Sequence, residues 1–287
     1  MPDYFSDALN KAAEKAVKES RRNDQVYASD ASVELVIGDE VEVTGTCLRK
    51  QFYRISGTPK SDPDTSIGVK AAFGGLIHDW VSTIFRAGGY RVKEEVPVWI
   101  EEYKMSGRID GIVTPPHIDS DAQVGLEVKT VDGYMGCRGT INPTRDHPLY
   151  PRLYHLAQTI VYASEMAKQG ILQWEILYVD RGGSGHRTHE VRYEDDDTIW
   201  VNGEPSSITP AKIFERWASL WTYVEDGVLP PRDYAIQYDE ERLLKMADAG
   251  KLSKADAAKV QKGKMIDKGD FNCRVCEWRT RCWTNDN

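Results

Sequence analysis

The hydrophobic positions of the chain change period several times, which outlines an alternation of helices and strands. Apolar residues at intervals of three and four predict helices over residues 3–22, 47–57, 67–85, 152–168 and 210–225. Alternation with a period of two predicts strands over residues 33–43, with a break at Gly38-Asp39, and over 90–100, 103–113, 124–131, 174–179 and 188–193. This order predicts an α/β fold with a small mixed central sheet flanked by helices.

The same order of elements divides the chain into three segments. We expect residues 1–44 to form an N-terminal helix and strand arm, residues 45–235 a core, and residues 236–287 a basic helical tail. The net charge is −8, yet residues 245–281 contain ten Lys or Arg against five Asp or Glu. The basic tail would therefore either bind phosphates or form a solvated helix face.

Composition and hydropathy narrow the class of protein. The chain is 40% hydrophobic and 29% charged, as is typical of soluble globular proteins. It has no run of about 18 apolar residues, and its first thirty residues lack the apolar centre of a secretory signal. We therefore expect a cytoplasmic protein that does not associate with a membrane. The acidic balance argues against a general nucleic-acid coat, because binding phosphates requires local positive charge.

Candidate chemistry is concentrated in the second and third strands of the predicted core. Asp110 stands at the end of one strand, and the next carries Glu127, Val128 and Lys129. Alternation places Glu127 and Lys129 on one face and Val128 on the other. If the strands pair as a hairpin, Asp110 approaches Glu127, and two such carboxylates require a divalent cation between them.

This arrangement predicts a Mg²⁺ or Mn²⁺ site, because both ions prefer oxygen ligands. Asp110, Glu127 and the carbonyl of Val128 would hold the ion, and Lys129 would orient or help to deprotonate the water that attacks a phosphodiester. The alternative is structural, since Asp-Gly is a turn signal and charges on strands are commonly solvated. The apolar surroundings of Glu127 and Lys129 favour the catalytic interpretation.

Two helices carry further polar candidates. His78 follows an apolar stretch in the helix before the strands, and it would complete the metal's ligands on the side away from Asp110. Gln158 and Tyr162 stand four residues apart on the later helix, so they share one face and would assist at the site. Both predictions have a structural alternative. His78 would be a structural histidine, and Gln158 and Tyr162 would be unrelated polar residues on a helix flank.

Taken in order, these motifs resemble the series found in RecB-type nucleases of the PD-(D/E)XK superfamily. They are His78, Gly107-Arg108-Ile109-Asp110-Gly111, Glu127-Val128-Lys129 and Gln158-x3-Tyr162. The resemblance implies a restriction-endonuclease-like core in which His78, Asp110 and Glu127 bind metal. It also implies that Lys129 is the catalytic lysine and that Gln158 and Tyr162 assist it.

The five cysteines suggest a second metal site. Their odd number disfavours a disulfide framework, and Cys273, Cys276 and Cys282 lie close together near the C-terminus. Zinc and cubane clusters both require four ligands, so a fourth must come from a distant part of the chain. Cys47, which begins a short helix, is a better candidate than Cys137 in the glycine-rich connection.

A distant cysteine followed by a C-terminal trio resembles the iron–sulfur nucleases, namely AddB-type nuclease domains and CRISPR-associated RecB-like exonucleases. The resemblance implies a [4Fe–4S] cluster that clasps the two ends of the chain, with zinc as the alternative. Trp278 and Trp283 near the trio would pack around the cluster or stack on bases, and we favour packing.

The resemblance implies an exonuclease that acts on single-stranded DNA or DNA ends, with 5′→3′ polarity favoured, in DNA processing or recombination. Proteins of this pattern include viral ones, which would place the chain in the host cytoplasm. The alternatives are a structure-dependent endonuclease with the same metal site, and a DNA-end-binding scaffold without activity. An oligomer is compatible with the sequence, which identifies no protein partner.

Overall fold

The computed structural model describes residues 22–38, 40–62, 67–116, 122–183, 185–194 and 197–285. The predicted helix over residues 3–22 lies outside this part of the chain except for Arg22. The strands are β1 Val26–Tyr27, β2 Ser32–Ile37, β3 Glu40–Gly45, β4 Arg91–Ile100, β5 Met105–Thr114, β6 Val124–Val131, β7 Gln173–Asp180, β8 His186–Tyr193, β9 Ile199–Val201 and β10 Glu204–Pro205. The α-helices are α1 Leu48–Ile55, α2 Ile67–Ala87, α3 Gly133–Cys137, α4 Leu153–Ala167, α5 Pro210–Asp226, α6 Glu240–Asp248, α7 Lys254–Val260 and α8 Phe271–Arg274.

The chain divides into two units whose boundaries differ from the predicted segments. The first unit comprises Met1–Thr46 and Thr65–Val228, and the second comprises Cys47–Asp64 and Leu229–Asn287. Residues 47–64, which the sequence predicts as part of the core, group with the C-terminal residues. Contacts between distant parts of the chain define this grouping, and a local sequence pattern does not specify them.

The first unit contains the predicted mixed sheet flanked by helices. Its strand order is β1-β5-β6-β7-β8-β9-β10, with β4 also paired to β5. The β1–β5 and β6–β7 pairs are parallel, and the other pairs are antiparallel. Strands β1, β9 and β10, which have only two or three residues each, were not predicted. Such short strands show no readable alternation, and their pairing partners define them.

The faces of β6 follow the predicted alternation. Leu126 and Val128 are buried in a cluster with Val81 of α2 and Leu177 of β7. Glu127 and Lys129 project to the opposite face, where Gln158 of α4 contacts both. The sheet therefore has an apolar face beneath α2 and a face beneath α4 that carries Glu127 and Lys129.

The predicted strand over residues 33–43 is a β2–β3 hairpin that turns at Gly38. Gly38 has a positive φ of 64°, a conformation that glycine adopts without steric cost. Arg216 of α5 donates hydrogen bonds to the Ser32 hydroxyl, at 3.0 Å, and to the Glu34 carboxylate. The hairpin is thus held against a helix of the first unit.

The second unit is a small helical assembly around α1 and the C-terminal residues. Its apolar cluster contains Tyr238, Leu243 and Val260. The buried Trp278 stacks on Tyr53 of α1 at 6.1 Å between ring centroids. Its indole nitrogen donates to the carbonyl of Thr58. These contacts explain why residues 47–62 and the C-terminal residues form one unit.

Candidate active site

The register of β5 and β6 brings Asp110 and Glu127 together. Gly111 lies opposite Leu126, so continuing the antiparallel register places Asp110 opposite Glu127. The backbone N–H of Val128 donates to Asp110 Oδ2 at 2.7 Å. The expectation that Asp110 ends its strand was wrong, since β5 continues to Thr114. Pairing with both β4 and β6 extends the strand beyond the Asp-Gly turn signal.

Glu127 is a buried carboxylate with one oxygen satisfied and one free. Its side chain is 1% exposed, and its Oε1 accepts from Lys129 Nζ at 2.5 Å and from Gln158 Nε2 at 2.8 Å. Within the described residues, its Oε2 has no hydrogen-bond partner. Burial, followed by the Asp110 charge, raises the pKa of Glu127 above its usual value. Buried polar atoms in folded proteins nearly always have a partner, so the free oxygen is available to a further ligand.

Lys129 sits beside Glu127 with its amine also bonded to Gln158 Oε1 at 2.9 Å. Burial lowers the pKa of Lys129, but the Glu127 and Asp110 carboxylates raise it by more, so the net shift is upward. The group is consequently an ammonium ion in this arrangement. That state balances negative charge, and it must lose a proton before it can act as a base.

His78 of α2 reaches the same cluster. Its Nδ1 lies 3.2 Å from Asp110 Oδ1. Burial lowers the pKa of His78, and the hydrogen bond and charge of Asp110 raise it more, which gives a net upward shift. The approach of α2 to β5, which sequence spacing does not encode, decides this placement.

Gln158 and Tyr162 share a face of α4, as their spacing predicted. The Gln158 amide joins Glu127 to Lys129, so it holds both charged groups in position. Tyr162 is buried, and burial raises the pKa of its phenol. Gln158 and the backbone of Arg108 adjoin the phenol and partly offset this rise in its pKa, and the ring stacks on Trp174 at 6.3 Å.

Further residues near this cluster were not selected from the sequence. Lys129 lies opposite Tyr178 in the parallel β6–β7 register. The Tyr178 hydroxyl accepts from the backbone N–H of Arg152 at 2.9 Å and lies 2.8 Å from His155 Nδ1. The sequence carried a signal for Tyr178, because alternation along the strand places it on the same face as Ile176 and Trp174.

The donor set suits a hard divalent cation even though the groups now contact one another. No three His, Cys, Asp or Glu side chains in the described part of the chain are placed as in a formed metal site. The protein itself holds Glu127 Oε1, through the Lys129 ammonium, and both oxygens of Asp110, through the Val128 N–H and His78 Nδ1. The free Glu127 Oε2 and the adjoining Asp110 carboxylate nevertheless offer the oxygen ligands that Mg²⁺ and Mn²⁺ prefer.

The second unit brings four cysteines into one neighbourhood. Burial, followed by the nearby Cys47 thiol, raises the pKa of Cys273 to about 12, and Cys276 and Cys282 act in the same direction. Burial, followed by Asp233, raises the pKa of Cys47 to about 11. The fifth cysteine, Cys137, belongs to α3 of the first unit. Among the described residues these cysteines are not placed as in a formed metal site, although thiolates are the ligands that a soft metal or an iron cluster takes.

Comparison with known proteins gives little further information. No protein-family model matches the chain, and no curated protein matches it. A solved structure, that of the archaeal protein SSO0001, is 16% identical, with 76% of this chain and 85% of SSO0001 covered and a TM-score of 0.44. This likeness is too distant to support an argument about activity. None of the described helices has the length and hydropathy needed to cross a membrane.

Proposed function

We propose that the first unit is a metal-dependent DNA nuclease with the PD-(D/E)XK arrangement. The observation that carries the proposal is the buried Glu127, with one carboxylate oxygen free, beside Asp110 and Lys129. Burying a carboxylate without a full set of partners is costly, and structural packing gives no reason to pay that cost. Similar energetic conflicts are typical of functional sites.

A divalent cation fits this donor set. Asp110, Glu127 and the carbonyl of Val128 would hold the ion, with His78 as a further ligand. When bound, Mg²⁺ or Mn²⁺ supplies Lewis-acid stabilisation and a water of lowered pKa. The proposal accounts for the upward pKa shift of Glu127, because a cation would offset the cost of the ionised carboxylate.

The remaining residues balance charge or position the charged groups. The Lys129 ammonium would neutralise the negative charge that develops on the phosphate during hydrolysis. Gln158 bonds to both this ammonium and Glu127, and the Tyr162 phenol adjoins Gln158 on the same face of α4. Gln158 and Tyr162 thus act as positioning residues. Following the motif resemblance, we propose an exonuclease on single-stranded DNA or DNA ends, with 5′→3′ polarity favoured.

We propose that the second unit holds a [4Fe–4S] cluster through Cys47, Cys273, Cys276 and Cys282. The cluster would join α1 to the C-terminal residues and close a loop of more than about two hundred residues, where a cross-link restricts the unfolded chain most. Brown protein with iron and sulfide in equal amounts supports this assignment. Colourless protein with stoichiometric zinc favours the zinc alternative.

The activity is tested with end-labelled and circular single-stranded DNA in the presence of Mn²⁺. Stepwise loss from labelled ends supports an exonuclease, cleavage of circles supports an endonuclease, and binding without cleavage supports a scaffold. We expect Lys129→Ala to reduce cleavage by at least about a hundredfold, since a cation positioned to stabilise the developing negative charge contributes on this scale. Circular dichroism and DNA binding should remain close to those of the wild type.

Lys168→Ala is the matched control, because Lys168 is exposed and pairs with Glu165 one helical turn away. It should cleave DNA at the wild-type rate. Full turnover by Lys129→Ala would contradict the assignment of the catalytic lysine. Loss of turnover in both variants would point to a general effect of removing positive charge.

A further inference from the structure

The connection between β6 and α4 exposes three large side chains at its surface. Tyr134 is 71% exposed, Met135 is 65% exposed, and Tyr154 at the start of α4 is 41% exposed. We name this set the aromatic platform. Tyr134 follows Lys129 by only five residues, so the platform begins directly after the strand that carries the candidate catalytic groups.

The connection that carries the platform is well ordered by its own hydrogen bonds. Gly139 N–H donates to the Asn142 carbonyl at 2.8 Å, and Tyr150 N–H donates to the Gly139 carbonyl at 2.9 Å. The ring of His189 in β8 bonds to the Thr140 carbonyl at 2.7 Å. The exposed rings are therefore presented by a fixed scaffold, and fraying of a loop does not explain their exposure.

One guanidinium holds the two ends of the platform together. Arg152 Nη1 donates to the Tyr154 hydroxyl at 2.9 Å, and Arg152 Nη2 donates to the Gly136 carbonyl of α3 at 2.9 Å. Because a single planar group makes both bonds, Tyr154 lies next to the short helix that bears Tyr134 and Met135. The ring of Tyr154 is further braced by His155, edge-on at 4.3 Å between centroids.

The platform is connected to the candidate site through Tyr178. Lys129 lies opposite Tyr178 in the parallel β6–β7 register. The Tyr178 hydroxyl accepts from the backbone N–H of Arg152 and lies 2.8 Å from His155 Nδ1. The ring of His155 contacts the ring of Tyr154, so the platform adjoins the residues that surround Lys129.

The chemistry of this surface fits unpaired bases better than an apolar protein partner. Arg152 donates to the Tyr154 hydroxyl, and Arg138 and Arg145 belong to the same connection in sequence, so the segment carries the positive charge that phosphates require. Exposed aromatic faces stack on any base, provided that the base is not already stacked within a duplex. A ring close to an ammonium that binds phosphate would therefore distinguish single strands from duplexes, and it would not distinguish one base sequence from another.

We infer that the aromatic platform stacks unpaired bases of a single nucleic-acid strand whose phosphate lies at Lys129. The inference rests on the proposed nuclease function and narrows its substrate to strands with splayed bases. Tyr134 provides the principal ring, Met135 widens the apolar surface, and Tyr154 supports the base nearest to the ammonium. Duplex DNA would bind more weakly because its bases do not present their faces.

The test measures binding of a short single-stranded oligonucleotide with internal 2-aminopurine, in Ca²⁺ so that stacking is followed without depending on cleavage. The wild type should quench the 2-aminopurine fluorescence. Tyr134→Phe, which keeps the ring, should quench to the same extent. Tyr134→Leu should lose the quenching and bind about tenfold more weakly, equivalent to about 1.4 kcal/mol for one lost base stack.

Trp99→Leu is the control for removing an exposed aromatic residue. Trp99 lies on β4 opposite Ser106, four residues before Asp110 on β5, and its loss should not alter quenching. Wild-type quenching and affinity in Tyr134→Leu would overturn the inference. Failure of the wild type to bind or quench single strands would also overturn it, as would equal weakening on single strands and blunt duplex.

The two proposals fail in distinguishable ways. If the ring-dependent quenching is found but Mn²⁺ supports no cleavage, the base-stacking surface stands and the nuclease assignment fails. If the wild type cleaves single and double strands alike and Tyr134→Leu behaves as the wild type, the nuclease assignment stands and the platform inference fails.

Discussion

Adding one methyl group to Gly107 tests the packing that holds Tyr162 at the candidate site. A Cβ on Gly107 would lie 2.6 Å from Tyr162 Cε1 and 2.8 Å from its hydroxyl oxygen. Carbon atoms in contact normally lie about 3.5 to 4.0 Å apart, so the ring must retreat by about 1 Å. The ring is buried and stacked on Trp174, which leaves it little room to move.

The cost of Gly107→Ala follows from this overlap. Overpacking in a core costs about 1–3 kcal/mol, and the free energy of unfolding should fall by that amount. Gly111→Ala on the same strand is the matched control, because the new Cβ would meet Leu126 at 3.7 Å, an ordinary contact. Its free energy of unfolding should stay within about 0.5 kcal/mol of the wild type.

A double-mutant cycle identifies the cause. In a Tyr162→Ala background the obstructing ring is gone, so Gly107→Ala should cost little there, and the two substitutions should couple by about 1–3 kcal/mol. Urea unfolding of the four variants measures the cycle. Additive costs would refute the account, because they would show that the methyl group is resisted by something other than Tyr162. Gly107→Ala should also slow cleavage, since a displaced Tyr162 ring would disturb the adjoining Gln158.

Two further predictions concern protonation and the cysteines. Burial lowers the pKa of His189 from 6.5, and its neutral ring bonds to the Thr140 carbonyl and to the Asn202 amide. The unfolded chain therefore takes up a proton that the folded chain does not, so this stabilisation is present above about pH 6.5 and is lost as the pH falls further. In urea unfolding at successive pH values, the free energy of unfolding should fall less steeply with decreasing pH for His189→Gln than for the wild type. An equally steep fall in both would contradict the prediction. Cys47→Ser should bleach the iron–sulfur absorption and make residues around α1 sensitive to proteolysis, whereas Cys137→Ser should do neither. Retained colour in Cys47→Ser would remove that cysteine from the ligand set.

Much of the first unit follows from local periodicity. The alternation over residues 90–131 indicates three strands, and the structure contains β4, β5 and β6 with ends shifted by no more than two residues. The same alternation places Glu127 and Lys129 together on one face, because side chains on a strand alternate regardless of what packs against it. Likewise, the four-residue spacing of Gln158 and Tyr162 gives them a common helix face. These properties depend only on neighbours in sequence, so the sequence by itself determined them.

Contacts between distant residues were decided only by the tertiary structure. The register between β5 and β6, the side from which His78 approaches Asp110, and the ring of Tyr162 above Gly107 each join separate elements. The grouping of α1 with the C-terminal residues and the strands β1, β9 and β10 are of the same kind. Their free energy comes from burial and pairing across the fold, which no local pattern of the chain specifies.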